Sequence, residues 1–301
     1  MKKILTKMSL SIIPISNNIF AIIGSNSFTL YDSTTQTIIL KSPTMRYMST
    51  VMCNESQSAW LAVDTIGRVN VFNETMSKTK TKIVSDAGKR HWFSKEHSFY
   101  CVDAANNLIC LNECGEKVGT VFFDKPIDCV YKQGDKVYVN VLTRNSKIDP
   151  LDVTSEIYEC LFCGEQLESV KIIYKDNGFV DDIKQDTINH KSTSVFLDKD
   201  NGKGRKKELV IFPKDDFKTY VKLDFSEIEP EIKKNGILYN YATNVDSNLV
   251  AFLFWDEIVV WDYEKQTVIY RESIDDGSDV VWTSDDKLLI ASCSGLFEIK
   301  L

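Results

Sequence analysis

A pair of strands joined by a tight turn recurs along this chain at an irregular spacing of about 40 residues, and that repeat limits the fold more than any other feature. FAIIGSNSFTLYD (residues 20–32), WLAVDTIGRVNVFN (60–73), FYCVDAANNLICLN (99–112), VAFLFWDEIVVWD (250–262) and LLIASCSGLFEI (288–299) share one plan. Each has a half rich in β-branched and aromatic residues, a turn of Gly, Asn, Asp or Ser, and a second such half. Two more pairs are split by insertions: KVYVNVL (136–142) with EIYECLF (156–162), and TSVFLD (193–198) with KELVIFP (207–213). That makes seven pairs.

Every pair has flanking strands. Upstream candidates start near Ser9, Tyr47, Lys89, Ile127, Phe179, Leu238 and Ser278. Downstream candidates are TIIL, TKIV, VGTVFF, SVKIIY, TYVKL and TVIY, and none follows the last pair. Residues 2–8, KKILTKM, form an alternating strand ahead of the first unit and fit that vacancy. The expectation is an all-β chain: a seven-bladed β-propeller of four-stranded antiparallel blades, one domain over residues 1–301. Blade seven would be shared between residues 2–8 and 278–301. Closure of this kind pairs a sheet edge that would otherwise stay open. The only window with helical character is SEIEPEIKKN (226–235), and Pro230 in its middle argues against a helix.

Strand pattern, repeat spacing and terminal closure together resemble the WD40-like β-propeller superfamily over essentially the whole chain. Trp261-Asp262 matches the dipeptide that gives WD40 repeats their name, and Tyr31-Asp32 occupies the same place in the first unit. The Gly-His element that opens a WD40 repeat is missing, because His91, His97 and His190 all lack a preceding glycine. The resemblance therefore implies a divergent propeller without the family's buried His–Asp network.

Composition removes several function classes. With 36 basic and 43 acidic side chains the chain carries a net charge of −7, which disfavours nucleic acid and anionic membrane as partners. No run approaches the ~18 apolar residues of a membrane helix. The basic start, Met1-Lys2-Lys3, is followed by Thr6, Lys7, Ser9, Ser11 and Pro14, which break up a signal-peptide core, so the segment reads as a retained strand. Of eight cysteines, Cys53, Cys101, Cys110, Cys129, Cys160 and Cys293 lie in apolar strand-like runs, where a free thiol acts as a small hydrophobe. A chain this long needs no disulfide staples. The expected protein is a cytoplasmic monomer.

Few residues could carry chemistry. His91 and His97 lie six apart across a turn and lack a third ligand. Cys110/Cys114 and Cys160/Cys163 have spacings that can form half a zinc site, yet Cys114 and Cys163 occupy the same turn in successive units, as repeat ancestry would produce. The loop at residues 198–204 imitates a calcium loop, but Gly202 and Lys203 stand where a ligand and a glycine belong. The acidic pairs Asp181-Asp182, Asp215-Asp216, Asp275-Asp276 and Asp285-Asp286 read mostly as turn formers. No nucleophile elbow, P-loop or dinucleotide fingerprint is present. No catalytic, cofactor or metal residue is assigned.

The remaining signal is uneven decoration. In a four-stranded blade the second-to-third loop and the connection to the next blade leave the same end. Insertions fall there at residues 143–155, 199–206 and 226–237. Arg144, Lys199, Lys203, Arg205, Lys206 and Lys207 on one side, and Glu227, Glu229 and Glu231 on the other, are the candidate partner-binding residues. The same charges could equally solvate loops or pair with each other. The expected function is a non-catalytic protein-interaction scaffold presenting loops of blades four to six to another protein. The alternative is a propeller enzyme or small-ligand binder using a central channel.

Overall fold

The computed structural model describes residues 1–16, 18–45, 48–83, 92–103, 105–133, 136–147, 152–186, 192–200, 205–214, 217–232 and 238–301. Strand β1 (Lys2–Leu5) precedes blade one, which holds β2 (Ser11–Ser16), β3 (Ile19–Ile23), β4 (Phe28–Asp32) and β5 (Thr37–Lys41). Blade two holds β6 (Met48–Cys53), β7 (Ala59–Asp64), β8 (Arg68–Asn73) and β9 (Lys78–Ile83). Blade three holds β10 (Trp92–Lys95), β11 (Ser98–Val102), β12 (Leu108–Leu111) and β13 (Lys117–Val121). Blade four holds β14 (Cys129–Gln133), β15 (Lys136–Arg144), β16 (Val153–Cys163) and β17 (Gln166–Asn177). Blade five holds β18 (Phe179–Gln185), β19 (Thr193–Asp200), β20 (Arg205–Phe212) and β21 (Val221–Asp224), followed by helix α1 (Phe225–Ile232). Blade six holds β22 (Leu238–Asn244), β23 (Leu249–Phe254), β24 (Glu257–Asp262) and β25 (Thr267–Ser273). Blade seven takes β26 (Gly277–Trp282), β27 (Lys287–Ser292) and β28 (Gly295–Lys300), with β1 as its fourth strand. This is the expected seven-bladed β-propeller.

The chain forms two compact units: Met1–Arg46, Lys184–Val195 and Lys207–Leu301 in one, Tyr47–Ile183 and Phe196–Lys206 in the other. Each has its own apolar cores. In the first, Ala251, Leu253, Val260, Trp282, Leu288 and Ile290 pack together, as do Phe20, Ile22, Leu289 and Leu296. In the second, Leu61, Val71, Phe99 and Ile109 form one core and Val137, Val139, Tyr158 and Cys160 another. Second strands are buried on both faces, so β7 (AWLAVD) and β23 (LVAFLF) read as unbroken apolar runs. Fourth strands such as β5 lie largely in water.

Closure rests on one glycine. β1 pairs antiparallel with β28 through Lys2↔Glu298, Lys3↔Phe297 and Leu5↔Leu296, while Ile4 and Leu5 pack on the core beneath. Gly295 has φ +146°, and a Cβ there would sit 2.1 Å from the Leu5 carbonyl oxygen. Only a residue without a side chain lets the closing strand come this near. The strand is shorter than residues 2–8, because the ladder ends at Leu5.

The fourth strands share a second device. The register slips opposite the end of the third strand at the same place in blades one, two, three and six, at Leu30/Tyr31, Val71/Phe72, Cys110/Leu111 and Val260/Trp261. Each slip leaves one residue unpaired; Ile39, Val118 and Ile269 among these are exposed. Bulges of this sort bend an edge strand and hinder pairing with another chain. The third strands end on turn-forming side chains. Asp32 Oδ1 accepts from the Thr34 and Thr35 amides, Asn73 Oδ1 from Ser77, Asn112 Oδ1 from Cys114 and Glu116, and Asp262 Oδ1 from Glu264 and Lys265, at 2.8–3.2 Å.

Several local expectations are corrected. Residues 143–155 are strand at both ends: β15 and β16 pair out to Arg144↔Val153, because Val141, Val153 and Ser155 are buried. At 199–206 the strands likewise run to Asp200 and from Arg205, and residues 201–204 of the calcium-like loop lie outside the described residues. The segment with Pro230 is helical after all. Pro230 is sixth in an eight-residue helix, so it costs few hydrogen bonds, and Phe225 anchors the start edge-on to Phe252 at 5.2 Å. Cys293 lies in a turn, and Asp181-Asp182 lies within β18.

Candidate protein-interaction site

A concavity of the second unit gathers around Arg144, at the end of β15. A cleft of about 300 Å³ is lined by Asn106, Pro126, Asp128, Leu142, Arg144, Val153 and Phe179. The extended β15–β16 hairpin supplies Leu142, Arg144 and Val153. Asn106 comes from the β11–β12 turn, at φ +62°, and its carbonyl accepts the Ile127 amide at 3.0 Å. That bond fixes the connection carrying Pro126 and Asp128. Phe179 is positioned through Gly178, whose amide donates to Val153 O (2.8 Å) and whose carbonyl accepts Ser155 Oγ (2.7 Å).

Polar groups make up much of the lining, from Asn106, Asp128 and Arg144. Asn140 Nδ2 donates to Asp128 Oδ2 at 3.0 Å, while burial pushes the Asp128 carboxyl above its usual range. Asn145 Nδ2 donates to Asp152 Oδ1 (3.1 Å) and Thr154 Oγ1 (3.0 Å), which ties the hairpin end beside Arg144. The Arg144 side chain is exposed and has no ion-pair partner among the described residues. Phe179 is 37% exposed. Leu142, Val153, Pro126 and Phe179 next to an exposed guanidinium can take an apolar side chain flanked by a carboxylate.

The other sequence-derived candidates fare differently. Lys206 and Lys207 are half-buried in β20 and engaged. Glu227 is exposed on α1 and Glu229 is half-buried. Lys203 lies outside the described residues, as do the side chains of Lys199, Arg205 and Glu231. The lining residues Asn106, Pro126, Asp128 and Phe179 carry no motif that would announce them; the only sequence signal was Gly178-Phe179 opening an upstream strand.

Of the residues considered for metal chemistry, His91 and His190 lie outside the described residues, and exposed His97 Nδ1 sits 3.0 Å from Glu113 Oε1. None of the eight cysteines forms a disulfide. Burial raises the Cys53 thiol to about 11 and the Cys160 thiol to about 12. Cys114 and Cys163 are exposed in equivalent turns, before Gly115 and Gly164 at φ +70° and +64°. Among the described residues no group of three or more His, Cys, Asp or Glu could hold a metal ion.

In the first unit the first strands carry a polar chain. Lys184 Nζ donates to Asn240 Oδ1 and to Tyr241 O (2.9 Å), Asn240 Nδ2 to Asp279 Oδ1 (2.6 Å), and Ser11 Oγ and Ile12 N to Asp279 Oδ2 (2.8 Å each). These groups satisfy one another and stitch blades five, six, seven and one together. The WD dipeptide works locally: Asp262 caps its turn, while the buried Trp261 Nε1 has no hydrogen-bond partner among the described residues.

Neither protein-family models nor curated proteins match the chain. Solved structures do. Kuenenia stuttgartiensis hydrazine synthase aligns with a TM-score of 0.65 at 11% identity, over 100% of this chain and 97% of that one. The Cps50 (Swd1) β-propeller domain of Myceliophteria thermophila gives 0.64 at 10%, over 97% and 95%. KlHsv2 with loop 6CD replaced by a Gly-Ser linker gives 0.60 at 11%, over 96% and 89%. At such identity the likeness is one of fold: this chain is a seven-bladed β-propeller.

Proposed function

We propose that the chain is a non-catalytic protein-interaction module that binds a partner through the Arg144 cleft of blade four. The observation that carries this reading is the exposed Arg144 side chain, without an ion-pair partner among the described residues, at a cleft it lines together with Leu142, Val153 and Phe179. A partner segment placing an apolar side chain between Pro126, Leu142, Val153 and Phe179, and a carboxylate on Arg144, satisfies both features. Lys203, Arg205, Lys206 and Lys207 of blade five would add long-range attraction for the same acidic partner. Eight cysteines without a disulfide support a reducing compartment such as the cytoplasm, and the bulged edge strands support a monomer. No described helix is long and apolar enough to cross a membrane.

The test is affinity purification from the native cell with the wild-type chain and an Arg144→Glu/Phe179→Ala variant, followed by mass spectrometry. A partner recovered by the wild type should be lost from the variant while the thermal melt stays the same. Recovery of an unchanged set of proteins would remove the cleft from the mechanism.

A further inference from the structure

We propose that blade six carries a second docking site, an acidic aromatic clamp that takes a Lys- or Arg-bearing segment of a partner protein. It stands on residues of the first unit and does not depend on the Arg144 cleft. Tyr239 and Trp255 are 53% and 48% exposed, with ring centroids 5.4 Å apart and ring planes at 59°. Their positions are built. Tyr239 is the extra residue at the register slip between Leu238 and Asn240, so it is thrown out of the β22–β23 ladder. Trp255 tops the tight turn from β23 to β24. Two large rings left in water on rigid backbone form an anchor surface rather than a stray hydrophobe.

The surroundings select the occupant. The Ile274 amide donates to Asp256 O (2.9 Å) and the Gly277 amide to Trp255 O (3.0 Å), so Asp275 and Asp276 span a turn laid against the Trp255-Asp256 turn. Gly277 allows that approach, since a Cβ there would meet Leu253 Cδ1 at 2.8 Å. Ser292 Oγ donates to Asp275 O (2.7 Å) and the Cys293 amide to Asp276 O (3.2 Å), which holds the acidic turn from its other side. Among the described residues, Asp256, Asp275 and Asp276 have no ion-pair partner; the nearby Glu257 is already paired with Arg271 at 3.0 Å. Helix α1, with exposed Glu227, packs against β25 of the same blade. An apolar partner would strip water from three carboxylates without compensation, and a nucleic acid would be repelled. A cationic side chain gains on both counts, because ring faces attract cations and the carboxylates accept their hydrogen bonds. A planar guanidinium can stack and donate at once, so Arg should exceed Lys.

Fluorescence anisotropy with a dye-labelled peptide of alternating Gly, Ser and Arg tests the proposal, with a Gly-Ser-Glu peptide as control. The Arg peptide should bind, and Trp255→Ala, which changes no charge, should weaken it about three- to thirty-fold. Asp256→Asn/Asp275→Asn/Asp276→Asn should weaken it and flatten the salt dependence, whereas Glu74→Gln/Glu165→Gln in the other unit should leave it alone. Should Trp255→Ala melt at a lower temperature, Tyr239→Leu decides: weakened binding upholds the clamp and unchanged binding overturns it. Equal affinity in wild type and Trp255→Ala of unchanged melt, no binding at all, or tighter binding of the Glu peptide would each overturn the site.

Discussion

Gly295 and His97 show how much single side chains decide in this protein. At Gly295 a Cβ would lie 2.1 Å from Leu5 O and the backbone sits at φ +146°, so Gly295→Ala must strain its own backbone or push β1 off β28. The expected loss is about 3 kcal/mol in a urea titration. Gly119→Ala, with nothing within 4 Å of the added Cβ, should be neutral or slightly stabilising. Equal effects of the two substitutions would mean that closure does not depend on the glycine. His97 is a subtler case. Its hydrogen bond with Glu113 raises the imidazole above its usual value and lowers the carboxylate below its own. The histidine's contribution is therefore complete below its ordinary value and fades as pH rises through the raised one. The Glu113 contribution is present above the ordinary carboxylate value and is lost as pH falls through the lowered one. The pair is intact only between those limits. Glu113→Gln should return the His97 titration, followed by NMR, to the ordinary histidine range; an unmoved midpoint would assign the shift elsewhere.

At the level of elements, β1 is the sharpest prediction. It contributes a ladder on β28 and brings Ile4 and Leu5 onto a core formed by Ile12, Phe20, Leu289 and Leu296. Deleting residues 2–5 exposes that core and reopens a sheet edge, at a cost of about 3 kcal/mol or more. For a chain of this size the melting temperature should fall on the order of 5 °C or more. An unchanged melt would show that the strand is ornamental. The hairpins that carry the blades were legible because burial on both faces writes an apolar run, and the turns between them write Asp, Asn or Gly. The fourth strands were legible in place but not in detail, since a bulge such as Ile39 or Ile269 leaves no mark on composition. The ends of residues 143–155 misled because Thr143, Arg144 and Thr154 are polar letters at strand positions, while Val153 and Ser155 carry the buried side. Pro230 misled because its cost depends on where it falls within a helix, which propensity alone does not specify.

For the whole molecule, the site was less legible than the fold for a topological reason. The cleft draws on residues from 106 to 179, and the aromatic clamp joins Tyr239 to Trp255; sheet pairing brings these together, not spacing in the chain. Arg144 was found as a charge, but the cleft it lines with Leu142, Val153 and Phe179 was not. The same topology bears on whether the two compact units behave as one domain. Strand β18 carries residues of both units, divided between Ile183 and Lys184, and so do β19, between Val195 and Phe196, and β20, between Lys206 and Lys207. A unit cannot lose blade five without taking apart strands assigned to the other. We therefore predict one cooperative unfolding transition, with calorimetric and van't Hoff enthalpies equal. Gly295→Ala should move that whole transition to lower temperature rather than detach a shoulder from it, because the closing strand and blade five would belong to the same cooperative structure. Two resolved transitions in differential scanning calorimetry, with only one of them shifted by Gly295→Ala, would instead make the units separate domains. Strands β18, β19 and β20 would then have to melt in halves, which antiparallel pairing across a four-stranded sheet disfavours.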